Sequence, residues 1–409
     1  MAGLKDSARR LFYVLAAPQF QKLARVNLMF VSDPGEGKTS FGRQVARWLG
    51  ITDEHFVRWS IGQHDPMDAN GWATPRDEGL VFEPPMRIKD LTKNGGGIWL
   101  LDEVGQAPAT VQGAFLKVLD ERWVGDTQLP PSVHIIGATN PPETGAASQD
   151  TTRPFANRCI WLTFSGPTKE EHAAFISGRG EVEAMELPTR KSAEEWDAQH
   201  SITVALYTAY MTRCPTAVLR EDAKSDEIQA RFTTLEATET GERVFCPAYA
   251  TPRTWDVATQ AYTSATLYGD KTAGLDFVCG AVGRPQGLGF CHFADEQDLV
   301  DPEVIIAAIL AGTKVEWAPD VKRPDRTFAQ LHAVAIAGCR AGMADKERNA
   351  RWHAAWMFLK AARNEMGVPK DLCLVAGEHL GANRVKGQLL ASVEDIIREL
   401  APMVAATRA

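Results

Sequence analysis

The stretch VNLMFVSDPGEGKTSFGRQVARWLG, residues 26–50, decides the fold of this chain. Its first six residues are mostly apolar and predict a buried strand over 26–31. Residues 39–49 have helical spacing and are followed by a glycine, which predicts a helix that stops there. The segment SDPGEGKTS connects the two, and a strand, a glycine-rich turn and a helix in this order are the context of a phosphate-binding loop.

The loop and the start of its helix supply the groups that hold a nucleotide. Backbone N–H groups of Gly35, Glu36 and Gly37 are expected to surround phosphate oxygens at the helix N-terminus. Lys38 is expected to reach the β- and γ-phosphates, and the Thr39 hydroxyl to ligate Mg²⁺. We therefore assign the whole run to nucleotide binding: Asp33, Pro34, Gly35, Glu36, Gly37, Lys38, Thr39 and Ser40.

Two positions depart from the usual G-x-x-x-x-G-K-[ST] pattern. Ser32 stands where the first glycine falls, so the backbone there must accommodate a Cβ. Glu36 adds a negative charge beside the loop. The sequence leaves open how these two residues affect nucleotide affinity.

Four further apolar runs predict that the first strand belongs to a parallel sheet with helices on both faces, an α/β fold. The runs are HFVRWSI (55–61), GIWLLDE (97–103), VHIIGAT (133–139) and CIWLTF (159–164). A helix is expected to start near Pro108. Its core face would carry Val111, Phe115, Val118 and Leu119.

Polar side chains follow two of these strands. Asp102 and Glu103 end GIWLLDE, the third of the five runs when 26–31 is counted as the first. They therefore lie at the carboxyl ends of the strands, where open α/β sheets bind ligands. We expect Asp102 to hold Mg²⁺ and Glu103 to act as general base on an attacking water. Asn140 ends the fourth run and could position that water, although Asn140-Pro141-Pro142 is also a turn signal.

Three arginines are candidates for contact with phosphate. Arg158 lies just before the fifth run, remote from the phosphate loop but suited to a subunit surface, where an arginine can neutralise charge on a neighbour's nucleotide. Arg153 competes for that role, and a plain surface arginine is the remaining alternative. Arg253 stands in the first turn of a helix opened by Thr251 and Pro252. Its contact with a γ-phosphate would couple nucleotide state to the angle between domains.

Composition narrows the class of protein. The net charge of −8 over 409 residues argues against diffuse attraction to nucleic acid or to an anionic membrane, and leaves a local basic groove possible. Seven cysteines without a C-x-x-C pair argue against a zinc site and a disulfide framework. The chain has no apolar run long enough for a signal peptide or a membrane span, so we expect a cytoplasmic protein.

We expect three domains: an α/β nucleotide-binding core over 1–165, a helical lid over 166–299 and a C-terminal helical domain over 300–409. Polar stretches at about 181–200 and 220–243 predict exposed insertions in the lid. The glycine-rich segment GRPQGLG (283–289) lacks the strand-to-helix context of a dinucleotide-binding loop, so we expect it to be a connector. Helices are expected over 302–312, 327–339, 345–366 and 387–404.

In this order the motifs resemble those of AAA+ ATPases, and most closely the MoxR branch with its relatives, the CbbQ/NorQ activases and the gas-vesicle GvpN proteins. The resemblance covers roughly residues 10–275. It rests on DPGEGKT, DPMDANGWATPRDEGLVFEPPMRIKD (65–90), LLDEVGQAPATVQGAFLKVLDER (100–122), IIGATNPPE and ATPRTW. Segment 65–90 resembles an inserted hairpin that faces a central pore. DEVGQAP parallels Asp-Glu-Ile-Asn-Arg-Ala-Pro, with Gly105 and Gln106 in place of Asn and Arg.

The resemblance implies a P-loop AAA+ core with strand order 5-1-4-3-2, followed by the helical lid. It also implies an ATP hydrolase with ATP and Mg²⁺ as cofactors, and a hexameric ring in which Arg158 acts in trans. The function implied is that of a chaperone or activase that remodels a protein client, often beside a von Willebrand A-domain partner.

Two other functions stay open. One is a nucleic-acid motor of the McrB type, which the acidic balance and the lack of a basic stretch with interleaved aromatics disfavour. The other is a nucleotide-gated scaffold, in which binding matters and turnover does not.

Overall fold

The computed structural model describes residues 3–15, 17, 26–77, 79–93, 96–141, 151–177, 188–215, 236–237, 243–244, 246–340, 343–383 and 393–400. The chain forms two compact units. Unit 1 comprises residues 1–193 and 218–288, and unit 2 comprises residues 194–217 and 289–409. The three domains expected from the sequence stay a prediction.

The strands among the described residues all lie in unit 1. They are β1 (Asn27–Val31), β2 (Phe56–Ser60), β3 (Trp72–Arg76), β4 (Gly79–Glu83), β5 (Gly97–Asp102), β6 (Trp123–Val124), β7 (Thr127–Gln128), β8 (Val133–Thr139), β9 (Cys159–Thr163), β10 (Glu236–Ala237) and β11 (Arg243–Val244).

The helices occur in both units. They are α1 (Leu4–Leu15), α2 (Lys38–Trp48), α3 (Pro66–Asn70), α4 (Met86–Lys93), α5 (Ala109–Glu121), α6 (Arg153–Ala156), α7 (Lys169–Ile176), α8 (Ala193–Arg213), α9 (Pro252–Leu267), α10 (Lys271–Val282), α11 (Arg284–Asp295), α12 (Pro302–Leu310), α13 (Pro324–Gly338), α14 (Asp345–Asn364) and α15 (Lys370–Ala382). Residues 393–400 are also helical. Nowhere in the described residues does a helix have the length and hydropathy needed to span a bilayer.

A five-stranded parallel sheet forms the centre of unit 1, with strand order β2-β5-β8-β1-β9. Counted along the chain as the five predicted runs, this order is 5-1-4-3-2, so the predicted α/β fold and strand order are confirmed. Every residue of β1 and β5 is buried, as expected for strands covered on both faces.

The core beneath the sheet contains the predicted face of α5. Val111, Phe115, Val118 and Leu119 are all at most 3% exposed and belong to one apolar cluster with Trp99. This face therefore packs inward, as its helical spacing predicts.

The hairpin expected within 65–90 is present as β3 and β4, which pair antiparallel. Its base is tied to the β6–β7 turn by two hydrogen bonds. The Phe82 N–H donates to Asp126 Oδ2 at 2.8 Å, and the Asp126 N–H donates to the Phe82 carbonyl at 2.8 Å. Because Gly125 lies directly against the Phe82 carbonyl, a Cβ there would clash with the hairpin backbone.

Two sequence predictions in unit 1 and at the start of unit 2 need correction. GRPQGLG is not a connector, because α11 begins at Arg284 and only Gly283 separates it from α10. Its Gly287 permits close packing, since a Cβ there would lie 2.7 Å from the Cys279 Cα. Residues 193–200, the end of the predicted insertion at 181–200, are the first turns of a helix, α8, and Trp196 on this helix is fully buried. Residues 181–187 and most of the predicted insertion at 220–243 lie outside the described residues.

Unit 2 is helical, with a core that includes Trp352 and Trp356 of α14. Their ring centroids lie 6.0 Å apart, so the expected inward packing of this pair is confirmed. The predicted helices at 302–312, 327–339 and 345–366 are present as α12, α13 and α14. Helix α15 was not expected, and of the predicted helix at 387–404 the described part is 393–400.

Candidate nucleotide-binding site

The loop between β1 and α2 depends on two glycines. Gly35 has φ +88° and Gly37 has φ +85°, in the left-handed region that glycine adopts without a steric penalty. Gly37 is the N-cap of α2, and its carbonyl accepts the first helical hydrogen bond from the Phe41 N–H at 2.9 Å. The chain can therefore wrap tightly before the helix, with the unpaired N–H groups of the first turn facing the loop.

Ser32 fits where the motif usually has glycine. Among the described non-glycine residues, positive φ occurs only at Glu103 and Arg122, so Ser32 has an ordinary backbone conformation. Its hydroxyl and its carbonyl each accept a hydrogen bond from Lys38 Nζ at 2.8 Å. The departure from glycine thus adds a hydrogen-bond acceptor to the loop without backbone strain.

Lys38 joins the loop to the end of β8. Its Nζ also donates to the Asp33 carbonyl at 2.9 Å and to Asn140 Oδ1 at 2.8 Å. Burial lowers the pKa of Lys38, while the carboxylates of Asp102, Glu36 and Asp33 act in the opposite direction. The structure therefore brings two of the predicted site residues, Lys38 and Asn140, into direct contact.

Asp102 accepts three hydrogen bonds at the carboxyl end of β5. Oδ2 accepts from the Thr39 hydroxyl at 2.7 Å and from Arg58 Nε at 2.7 Å, and Oδ1 accepts from the Glu103 N–H at 3.0 Å. Hydroxyl and carboxylate oxygens are the ligands that Mg²⁺ prefers. Because Asp102 Oδ2 already pairs with a cation, this oxygen cluster is suited to positive charge, and Thr39 and Asp102 fit the metal role predicted for them.

Glu103 has an unusual backbone conformation, with φ +57° in a residue that carries a side chain. Such a conformation costs about 1–3 kcal/mol, and residues that adopt it tend to cluster at functional sites. It turns the chain at the end of β5 into residues 104–106, and the Gly105 N–H then donates to Thr139 Oγ1 at 2.9 Å. This bond ties the ends of β5 and β8 together, so Glu103 and Asn140 lie at the same edge of the sheet.

Arg58 was not among the predicted site residues. This residue lies on β2, at the edge of the sheet, and its neighbours Val57 and Trp59 are buried. A single cation inside the otherwise mostly apolar run HFVRWSI was the available signal. Recognising it required knowing that β2 pairs with β5.

Arg158 and Arg253 lie together at the amino ends of the strands, opposite the carboxyl ends that carry Asp102 and Asn140. Arg158 Nη2 is 3.4 Å from Asp120 Oδ2, and Arg253 Nη2 is 3.3 Å from the same oxygen. Burial, aided by the nearby charge of Arg253, lowers the pKa of Arg158. The three residues line a cavity of about 390 Å³.

Neither arginine reaches the phosphate loop of its own chain. Since Asn27 is level with Cys159, six residues of strand separate the level of Arg158 from that of Ser32. At about 3.3 Å per residue this is about 20 Å, well beyond the length of an arginine side chain. Arg253 was expected to contact the γ-phosphate, but its pairing with Asp120 places it beside Arg158 and away from Lys38.

The first turn of α9, which carries Arg253, is fixed to the segment before β9. Thr251 caps the helix by accepting from the Thr254 N–H at 3.1 Å, and its hydroxyl donates to Asn157 Oδ1 at 2.8 Å. The Tyr249 hydroxyl donates to the Arg153 carbonyl at 3.2 Å. Arg153 is thus near this cluster, but Arg158 is the one that shares Asp120 with Arg253.

Comparison with known proteins gives partial matches, and no protein-family profile matches the chain. The chain is 36% identical over 126 residues to Lon protease 1 of Myxococcus xanthus, and 30% identical over 194 residues to the Lon protease of Brevibacillus choshinensis. These matches cover 29% and 43% of this chain, and 15% and 23% of the relatives. The chain therefore spans less than a quarter of the length of either relative.

Solved structures give weak matches. A Cytophaga hutchinsonii protein assigned as an ATPase is 15% identical with a TM-score of 0.41, over 69% of this chain and 82% of the other. An MCM homolog from Methanopyrus kandleri is 13% identical with a TM-score of 0.33, over 71% and 54%. At these TM-scores the likeness carries no weight. The observed strand order agrees with the P-loop AAA+ core that the sequence resemblance implied.

Proposed function

We propose that this protein is a Mg²⁺-dependent AAA+ ATPase of the MoxR type that couples ATP hydrolysis to the remodelling or activation of a protein partner. The observation that carries the proposal is the convergence at the carboxyl edge of the sheet. Lys38 Nζ lies 2.8 Å from Asn140 Oδ1, and Thr39 Oγ1 lies 2.7 Å from Asp102 Oδ2. These contacts bring together the loop, the Asp-Glu strand and the asparagine strand.

Each residue at this edge has a separate role in the proposed reaction. Lys38 binds the β- and γ-phosphates, and Thr39 and Asp102 would hold Mg²⁺. The metal, when bound, supplies neutralisation of phosphate charge. Glu103 accepts the proton of the attacking water, and Asn140 orients that water.

The separation of Arg158 from its own loop supports a ring, which we propose to be a hexamer. An arginine about 20 Å from its own phosphate loop cannot reach its own nucleotide, so a role in catalysis requires the nucleotide of a neighbouring subunit. Because Arg253 shares Asp120 with Arg158, we propose that both arginines face the neighbour's γ-phosphate.

The hairpin supports a protein client. One face of β3 and β4 presents Ala73, Pro75, Leu80 and Phe82, and Leu80 is 65% exposed. Arg76, the only cation in the two strands, is paired with Glu83. An exposed apolar face without free positive charge suits a polypeptide better than a nucleic acid. A von Willebrand A-domain protein is the partner suggested by the resemblance.

The Glu103→Gln variant tests whether ATP binding and ATP hydrolysis can be separated. We expect it to bind ATP as the unaltered protein does, since Glu103 is assigned to water activation and not to nucleotide binding, and to lose hydrolysis. Lys38→Ala should lose binding itself. Glu170→Gln on α7 is the matched control, because it removes an exposed carboxylate outside the site. Hydrolysis at the normal rate by Glu103→Gln would refute the assignment.

The client is tested with the same ATP-bound Glu103→Gln protein. Proteins that co-purify with it, and are lost from a Leu80→Ser, Phe82→Ser version that still binds ATP, would support the hairpin as the client-binding element. DNA that co-purifies and stimulates hydrolysis in a salt-sensitive way would favour the nucleic-acid motor.

A further inference from the structure

Arg58 contacts Asp102, the carboxylate that we expect to hold Mg²⁺. Arg58 itself belongs neither to the phosphate loop nor to the Asp102–Glu103 pair. Its Nε donates to Asp102 Oδ2 at 2.7 Å, a charge-assisted hydrogen bond at the short end of the normal range. The Arg58 side chain is 43% exposed, whereas that of Asp102 is 7% exposed. The arginine therefore reaches a nearly buried carboxylate from the solvent side.

The oxygen that Arg58 contacts is also the one bound by Thr39. Asp102 Oδ2 accepts from both residues, each at 2.7 Å, so both of its lone-pair directions are in use. Oδ1 accepts one hydrogen bond, from the Glu103 N–H, whereas the Thr39 hydroxyl donates to Oδ2. A metal ion bound by the Thr39 hydroxyl lies beside Oδ2, so a bond from the metal or from a water in its shell to that oxygen takes a position that is already in use. The Thr39 hydroxyl belongs to the metal site, so Arg58 is the group that has to leave.

Lys38 does not take this role. Its Nζ is used by Ser32, Asp33 and Asn140, and none of its hydrogen bonds goes to Asp102. Among the described residues, Arg58 forms an ion pair with Asp102 at hydrogen-bond distance, whereas Lys38 interacts with this carboxylate only through space. Without Arg58, a nearly buried carboxylate would lose its directly bonded cation.

We propose that Arg58 competes with Mg²⁺ for Asp102 and is the built-in counter-ion of the site before the metal arrives. This inference rests on the proposed function, since it takes Mg²⁺ and a nucleotide to bind at this loop. Its consequence is that the site binds the metal less tightly than its oxygen ligands alone would allow. Arg58 is thus a positioning residue that sets the Mg²⁺ requirement of nucleotide binding.

The competition is measured by titrating MgCl₂ into protein with a fixed amount of fluorescent mant-ADP and recording bound fluorescence. For Arg58→Ala we expect the half-saturating Mg²⁺ concentration to fall about two- to fivefold, the range expected for loss of a partly exposed ion pair. Arg58→Lys keeps the charge and should stay close to the unaltered protein. Arg47→Ala is the matched control, because Arg47 pairs with Asp53 away from the site and is 57% exposed.

A second measurement separates competition from a purely structural role. In a metal-free sample prepared with EDTA, Arg58→Ala lacks the ion pair with Asp102. In a second sample with excess Mg²⁺ and ADP, the melting temperature of this variant should rise above its metal-free value by more than that of the unaltered protein does. Arg58→Gln, which keeps a similar length without the charge, serves in both measurements if Arg58→Ala does not fold.

The outcomes distinguish this inference from the function on which it rests. An unchanged or higher Mg²⁺ requirement in Arg58→Ala, with mant-ADP still bound, would overturn the competition alone. Failure of the unaltered protein to bind mant-ADP at saturating Mg²⁺ would overturn the nucleotide site itself. A fall in the Mg²⁺ requirement for Arg47→Ala equal to that for Arg58→Ala would reduce the effect to net charge and also overturn the competition.

Discussion

Arg158 offers the sharpest test of the proposed assembly, because its position rules out action on its own nucleotide. Its level in the sheet lies about 20 Å from the phosphate loop of its own chain. An arginine that neutralises transition-state charge contributes about 10³ to 10⁵ in rate. We therefore expect Arg158→Ala to bind ATP normally and to lose at least about a thousandfold in turnover.

Mixing two inactive variants shows where the arginine acts. Glu103→Gln subunits have a dead site and an intact Arg158, whereas Arg158→Ala subunits have an intact site and no arginine. If subunits mix at random in equal amounts, about a quarter of all sites combine an intact Glu103 with an arginine from the next subunit. The steady-state ATPase rate of the mixture should therefore rise to about a quarter of the normal value.

The control for this mixture places both changes in one chain. Subunits with Glu103→Gln and Arg158→Ala together, mixed with Arg158→Ala subunits, contain no Arg158 at any interface and should stay inactive. Action in cis would leave the first mixture as inactive as this control, and that result would refute the trans assignment. Arg153→Ala in place of Arg158→Ala tests the competing candidate, and recovery with that pair only would transfer the role to Arg153.

Three further predictions concern the loop, the hairpin and the helical unit. Gly37→Ala forces a left-handed backbone on a residue with a side chain and should raise the Kd for ATP about tenfold, measured by calorimetry, whereas Gly113→Ala on α5 should be neutral. Asp126→Ala removes the carboxylate that accepts from Phe82, so hydrogen exchange of the hairpin amides should become faster, while Asp126→Asn should retain much of their protection. Burial lowers the pKa of His332 to about 4, so the free energy of unfolding should fall between pH 6.5 and 4, by about 2 kcal/mol at pH 5. Urea unfolding at pH 7 and pH 5 should show this loss, and His332→Phe should reduce it.

The fold of unit 1 was predictable because its signals are local. Each central strand is a nearly continuous apolar run, and the loop residues that shape the site are neighbours in the sequence, from Ser32 to Ser40. The strand order is different, because no local signal fixes it. It was expected only from the resemblance to AAA+ ATPases, and the observed pairing of β1 with β8 and β9 confirms it.

The elements that the sequence analysis missed have weak or misleading local patterns. Helix α15 contains Gly377 and Gly381, which lower the helical signal, yet Gly377 packs closely against Leu400. The start of α8 is rich in acidic residues and resembles a solvated loop, although Trp196 among them is fully buried. In both cases packing against other helices outweighs local propensity.

The contacts that most affect the proposed chemistry could not be predicted from the sequence, for a different reason. Arg58 meets Asp102 because β2 pairs with β5, and Asp120 meets two arginines because α5 returns to the edge of the sheet where β9 begins. Such contacts depend on register and on the end point of a helix, which the residues themselves do not encode locally. The sequence could therefore name Arg158 and Arg253 as candidates but could not place them together.

Arg158 and Arg253 form only weak ion pairs with Asp120, and this affects whether they can leave Asp120 to contact the nucleotide of a neighbouring subunit. Both arginines contact one oxygen at 3.3–3.4 Å, longer than an ideal charge-assisted hydrogen bond, and Arg253 is 42% exposed. Partly exposed pairs of this kind contribute up to about 1 kcal/mol. Stabilisation of a transition state by 10³ to 10⁵ corresponds to about 4–7 kcal/mol, several times more. We therefore expect Asp120 to hold the arginines in a defined place without preventing their contact with a neighbouring subunit. The maximal steady-state ATPase rate of Asp120→Ala should stay close to that of the unaltered protein, because the first turn of α9 keeps its hydrogen bonds between Thr251 and Asn157 and between Thr251 and Thr254.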